Sequence, residues 1–150
     1  MIFLTPWKDQ ILDTISEKAS MCYLITILSL VAGMPFPPVT FFAAIGIYSS
    51  YRNSDLFVQW HAAQSLVIQL FMFVFNTTTF IWVLLLFFSD LQISNTFFGF
   101  LFSTTILNII VLIATIYTAS KVRKGIHCEW ILFGPVTQWL IERQHNKINV

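Results

Sequence analysis

Four apolar runs separated by short polar breaks organise the chain. The first covers residues 19–34 and closes at Pro35-Phe36-Pro37-Pro38, and the second covers residues 39–51. Each is shorter than the roughly 20 residues that a helix needs to cross about 30 Å of hydrocarbon. They predict either two short spans or a re-entrant hairpin with a proline tip. The polar stretch Tyr51-Arg52-Asn53-Ser54-Asp55 leads into a third run, residues 56–88, long enough for one tilted helix. Asn76-Thr77-Thr78-Thr79 interrupts its apolar character, but residues 80–88 are too few to cross again, so one helix is expected. A last run, residues 96–120, follows the loop Ser89–Asn95.

Both ends carry amphipathic segments. Thr5-Pro6 reads as an N-cap followed by proline at the first helical position. Trp7, Ile11, Leu12 and Ile15 then share one face, which predicts an interfacial helix over residues 5–18. Beyond an irregular stretch after Gly125, residues 135–146, with Trp139, Leu140 and Arg143, predict a second one. The expected architecture is all-α: a single polytopic membrane domain with four transmembrane helices and an interfacial helix at each terminus.

The basic residues orient this arrangement. Lys8 and Lys18 precede the first run, and Arg52 separates the second from the third. Lys121, Arg123, Lys124, Arg143 and Lys147 follow the fourth. All fall on one side of a four-pass chain, which puts both termini on the cytoplasmic or stromal side of a bacterial inner membrane or organelle inner envelope. Composition agrees: 57% of residues are hydrophobic and 10% are charged, against about 25% charged in ordinary soluble domains. The surface therefore faces lipid or other membrane subunits. A net charge of +1 without a clustered basic face excludes a nucleic-acid partner.

Chemistry has few places to sit. No charged residue lies between Asp55 and Asp90 or between Asp90 and Lys121, which weighs against proton-coupled transport and ion conduction. At about 100° per residue, His61, Gln64, Ser65, Gln69 and Asn76 share one arc of the third helix, with Ala62 and Leu70 opposite. Thr104, Asn108, Thr115 and Thr118 share an arc of the fourth. Amides facing lipid would lose their hydrogen bonds, so His61, Gln64, Gln69, Asn76 and Asn108 define the candidate polar intramembrane face, bonding helix to helix or lining a groove. Two small-residue pairs at four-residue spacing, Gly46 with Ser50 and Gly99 with Ser103, are the candidate helix-packing sites. Cys22 and Cys128 are too few and too scattered for a disulfide framework or zinc site. His61 and His127, both near the basic side, are the only basis for a haem reading. No catalytic motif occurs, and neither an enzyme nor a cofactor is expected.

The order of these features resembles a family. Residues 22–33, the proline turn, the Arg52–Asp55 loop and Val58-Gln59-Trp60-His61-Ala62-Ala63-Gln64-Ser65-Leu66 are similar to a small bacterial membrane domain of unknown function. That domain is related to the twenty-kilodalton subunit of the chloroplast inner-envelope (Tic) protein translocon. Ala119-Ser120-Lys121-Val122-Arg123-Lys124-Gly125, followed by Gly134-Pro135, resembles the end of its last span. The resemblance covers residues 19–135 and implies a four-helix bundle with a non-enzymatic role. The expected function is a membrane subunit of a larger assembly, in protein translocation or membrane-protein biogenesis. A small transporter or channel with a neutral polar path and a haem-carrying electron-transfer subunit are the alternatives.

Overall fold

The computed structural model describes residues 2–6, 11–89 and 94–148, with the backbone alone for Pro6 and for residues 144–148. In chain order the elements are β1 (Ile2–Pro6), α1 (Asp13–Gly33), α2 (Pro38–Tyr51), α3 (Leu56–Phe88), α4 (Asn95–Val122), β2 (Ile126–Trp130) and α5 (Gly134–Ile148). Among the described residues three helices are long and apolar enough to cross a membrane: α1, α3 and α4. At 1.5 Å per residue, the 14 residues of α2 reach only about 21 Å. The chain is a mostly helical membrane protein; α2 falls short of the length of a fourth span.

Local sequence sets the element ends. Ser94 caps α4, its Oγ accepting from the Phe97 amide at 3.2 Å, which satisfies one of the free N–H groups of the first turn. Pro38 opens α2, where its missing N–H costs nothing. Gly125 closes the passage from α4 to β2 at φ +72°, a left-handed backbone that a side chain would strain. Asn76-Thr77-Thr78-Thr79 leaves α3 unbroken. Thr78 and Thr79 donate to the carbonyls of Val74 and Phe75 at 2.9 and 3.1 Å, and Asn76 finds a partner on α4.

α1 and α3 run parallel, since Tyr23 meets His61 and Ser29 meets Gln69 further along both helices. α2 therefore returns the chain between them, and α4 runs back against α3. The core gathers Tyr23, Leu30, Ala62, Ile68, Met72, Val122 and Cys128. α3 divides in two. Its buried residues extend from Phe57 to Asn76, and none lies beyond. Its first half is surrounded by α1, α2 and the segment after α4, while its second half pairs with α4 through Trp82 packed on Phe97 and Phe100.

Several expectations change. Residues 5–18 do not form one interfacial helix: Thr5 and Pro6 lie in β1, residues 13–18 are the first turns of α1, and residues 7–10 lie outside the described residues. The first run gains its spanning length from those turns. The fold is not purely α, because the stretch after Gly125 is a strand pairing antiparallel with β1, Ile2 opposite Trp130 and Pro6 opposite Ile126. Ala62, expected on the lipid side, is fully buried, because the first half of α3 has neighbours all round.

The packing glycines also change. Gly46, Ser50, Gly99 and Ser103 are exposed, a Cβ at either glycine would meet nothing within 4 Å, and Ser50 bonds back to the Gly46 carbonyl. Among the described residues those pairs pack no helix. The close approach is at Gly33, where a Cβ would overlap the Thr40 hydroxyl as α2 folds back on α1. Thr40 Oγ1 donates to the Ser29 carbonyl at 3.3 Å in the same contact. Gly33→Val should therefore lower stability by about 1–3 kcal/mol through overpacking, measured by unfolding in detergent, while Gly46→Leu should leave the isolated chain unchanged. Equal effects at the two glycines would contradict this packing.

Candidate functional site

The polar residues of the membrane helices meet in three stations along α3. The middle one joins α1 to α3. Ser29 Oγ donates to Gln69 Oε1 at 2.6 Å, and Gln69 Nε2 donates to Thr26 Oγ1 at 3.0 Å and Ser65 Oγ at 3.2 Å. Thr26 Oγ1 lies 2.5 Å from Ser65 Oγ and 2.7 Å from the Cys22 carbonyl. All four side chains are buried. α1 contributes at three-residue and α3 at four-residue intervals, the spacing of ridges-into-grooves packing with axes near 20°.

The station nearest the sheet ties α1, α3 and α4 to β2. Tyr23 Oη lies 2.9 Å from His61 Nδ1. With its oxygen turned toward the donors, the Gln64 amide accepts from Trp130 Nε1 at 3.2 Å and Tyr23 Oη at 3.3 Å, and donates to the Cys128 carbonyl at 3.2 Å. Trp130 Nε1 also donates to Thr118 Oγ1 at 2.9 Å, and Ser20 Oγ donates to the Ala119 carbonyl at 3.0 Å. At the far station Asn108 Nδ2 donates to Asn76 Oδ1 at 2.8 Å, and Asn76 Nδ2 donates to Asn108 Oδ1 at 3.3 Å. Hydrocarbon offers a buried polar group no alternative partner, so each bond fixes depth and rotation as well as contact.

The structure thus places His61, Gln64, Gln69, Asn76 and Asn108 inside the bundle, in three groups rather than one continuous face. Their α1 partners Tyr23, Thr26 and Ser29, and Ser20, which bonds to the Ala119 carbonyl of α4, were not among the candidates. The signal is present in the sequence as four hydrogen-bonding residues at three-residue spacing within an apolar run. Thr104 and Thr115, also buried on α4, bond within their own helix: Thr104 offers its carbonyl to Asn108, and Thr115 donates to Val111.

These side chains meet through hydrogen bonds among hydroxyl, amide, indole and imidazole groups. The rings of His61 and His127 pack at 5.2 Å between centroids, with Phe57 at 4.5 Å from His61 and Trp60 at 5.3 Å from His127. Rings in contact leave no slot for a porphyrin between them, so the pair does not fit a haem held by both. Among the described residues no group of three or more His, Cys, Asp or Glu is placed to hold a metal ion. Cys22 and Cys128 are buried free thiols; burial pushes the Cys128 thiol up to about 11, against the opposing pull of Lys121. A shallow groove of about 300 Å³ along Thr78, Ile81, Trp82 and Leu85 lies at the other end of the bundle from the sheet.

Three bilayer-length apolar helices locked by a buried neutral hydrogen-bond seam define a multi-pass helical membrane protein. The chain belongs to the MamF/MmsF family, the magnetosome magnetite crystal formation protein family, whose model matches residues 17–136. The match runs from the first turns of α1 to the start of α5. No curated protein and no solved structure matches the chain significantly. The expected kinship with the chloroplast translocon-related domain is thereby overturned. The residues that carried that resemblance, His61, Gln64 and Ser65, serve interhelical bonding here, which does not discriminate translocation from any other membrane role.

His127 yields a pH prediction. It is 7% exposed, and burial lowers its pKa from 6.5 to about 4. The unfolded chain therefore takes up a proton below about 6.5 that the folded chain refuses, and stability falls as pH drops from there toward 4. Melting of the purified protein in detergent should show this loss, and His127→Phe should remove part of the slope. An unchanged slope in the variant would contradict a buried neutral His127.

Proposed function

We propose that this chain takes part in magnetite crystal formation as a non-enzymatic, multi-pass subunit of the magnetosome membrane, working within a larger membrane assembly. The family match over residues 17–136 carries this reading. The non-enzymatic part is supported by the seam, whose hydroxyls and amides bond to one another and leave no charged or nucleophilic group poised at a cleft. The same closure disfavours a transport path along those residues. Exposed apolar side chains such as Phe42, Phe98, Phe102 and Ile113 supply surface for lipid and for neighbouring subunits alike, and the outward Gly46–Ser50 and Gly99–Ser103 pairs suit close helix approach from outside.

In this reading both termini lie on the cytoplasmic side. The parallel course of α1 and α3 requires α2 to return the chain, whether as a short fourth crossing or as the second arm of a re-entrant hairpin. Either way α4 ends where α1 begins, on the side that carries the basic residues.

The test is genetic. In a magnetosome-forming bacterium that encodes this chain, its deletion should change the size, number or shape of magnetite crystals seen by electron microscopy. Re-expression of the wild type should restore them. Unaltered crystals after clean deletion would refute a role in their formation.

A further inference from the structure

We propose that the turn after β2 and helix α5, together with the end of α4, form a docking surface for anionic phospholipid headgroups. α5 sits on the bundle through Phe133, Thr137 and Ile141, spaced four residues apart and all buried, with Phe133 packed on Phe71 of α3 at 5.4 Å. This seating turns Ile131, Leu132, Val136 and Trp139 outward at 39, 79, 46 and 53% exposure. Water would leave that apolar edge unsatisfied. The acyl boundary of a bilayer would cover it, as it covers the apolar face of an interfacial helix.

Charge selects the kind of lipid. Arg143 stacks over Trp139 at 5.1 Å, and Lys121 lies over Tyr117 at 5.4 Å, both rings being exposed. Such pairs set a cation at the headgroup level, with the aromatic body below it and the charged tip free to meet a phosphate. Arg123 and Lys124 are exposed beside Lys121. Two carboxylates accompany these four cations. Glu142 is engaged by Gln138 at 2.9 Å, and Glu129 lies half-buried in β2. The start of α1 lies beside the end of α4, where Ile11 approaches Gly125 and Ser20 bonds to the Ala119 carbonyl. Asp13 and Glu17 therefore share this end of the bundle with Arg123 and Lys124, whereas Arg143 stands on α5. Arg143 is thus the cation that stands on the exposed apolar edge itself, over Trp139. A lipid that presents an anion above an acyl layer meets the cation and the apolar edge together.

The full-length protein in mild detergent is titrated with phosphatidylglycerol or phosphatidylcholine, and bound lipids are counted by native mass spectrometry. The wild type should prefer phosphatidylglycerol, and the Lys121→Gln/Arg143→Gln pair should lower that affinity about tenfold or more, each basic residue near an anionic surface contributing several-fold. Lys18→Gln/Arg52→Gln should leave the preference intact, which separates this surface from a general attraction of the basic end. Circular dichroism verifies that each variant remains helical. Equal binding of the two lipids by wild type, or equal losses in the two double variants, would overturn the proposal.

Discussion

Hydrocarbon cannot solvate an amide or a hydroxyl, and that constraint dictates how this bundle is assembled. Gln69 has two donors and an acceptor to satisfy at a depth where no water competes. It satisfies them with Ser29, Thr26 and Ser65, and in doing so fixes the depth of α1 against α3. Apolar contacts alone would leave the two helices free to slide, since lipid tails match a leucine surface as well as another helix does. The Asn76–Asn108 pair does the same for α3 against α4. Individually such bonds contribute about 0.6 kcal/mol in a membrane. Their larger consequence is specificity, because any slipped register leaves several polar groups unpaired at once.

From that lock the rest follows. With α1 and α3 parallel and in register, α2 must fold back, and Gly33 must lack a side chain where Thr40 crosses it. The near half of α3 becomes a central strut, buried at every position from residue 61 to 65. Gln64 then reaches beyond the helices to hold Cys128 and Trp130, anchoring β2 and, through it, β1. The sheet and α5 are thus extensions of the seam and not separate appendages.

Much of this was legible in the sequence. The bounds of α3 and α4, the unbroken passage through Asn76-Thr77-Thr78-Thr79 and the inward placement of Gln64, Gln69 and Asn108 follow from apolar length and from the cost of an unpaired amide. What escaped has physical causes. Serine and threonine in α1 are weakly polar, and their three-residue spacing acquires meaning only when a partner helix supplies the complementary amide. The strand after Gly125 pairs with residues over a hundred positions away, and no local pattern reports such a partner. Gly46 and Gly33 look alike in sequence, and only the α1–α2 turn decides which of them is crowded. The translocon resemblance gave way to the family match over residues 17–136.

The seam is tested most directly by a double-mutant cycle between Ser29→Ala and Gln69→Leu, with unfolding measured in a lipid bilayer or bicelle. Each single change removes one partner of a buried bond. Ser29→Ala in particular strands the Gln69 carbonyl, so a cost of about 1–3 kcal/mol is expected for it. The double variant should cost less than the sum by roughly 0.6 kcal/mol or more. Strictly additive effects, with Gln69→Leu no less stable than wild type, would mean that α1 and α3 are held by apolar packing alone and would contradict the account.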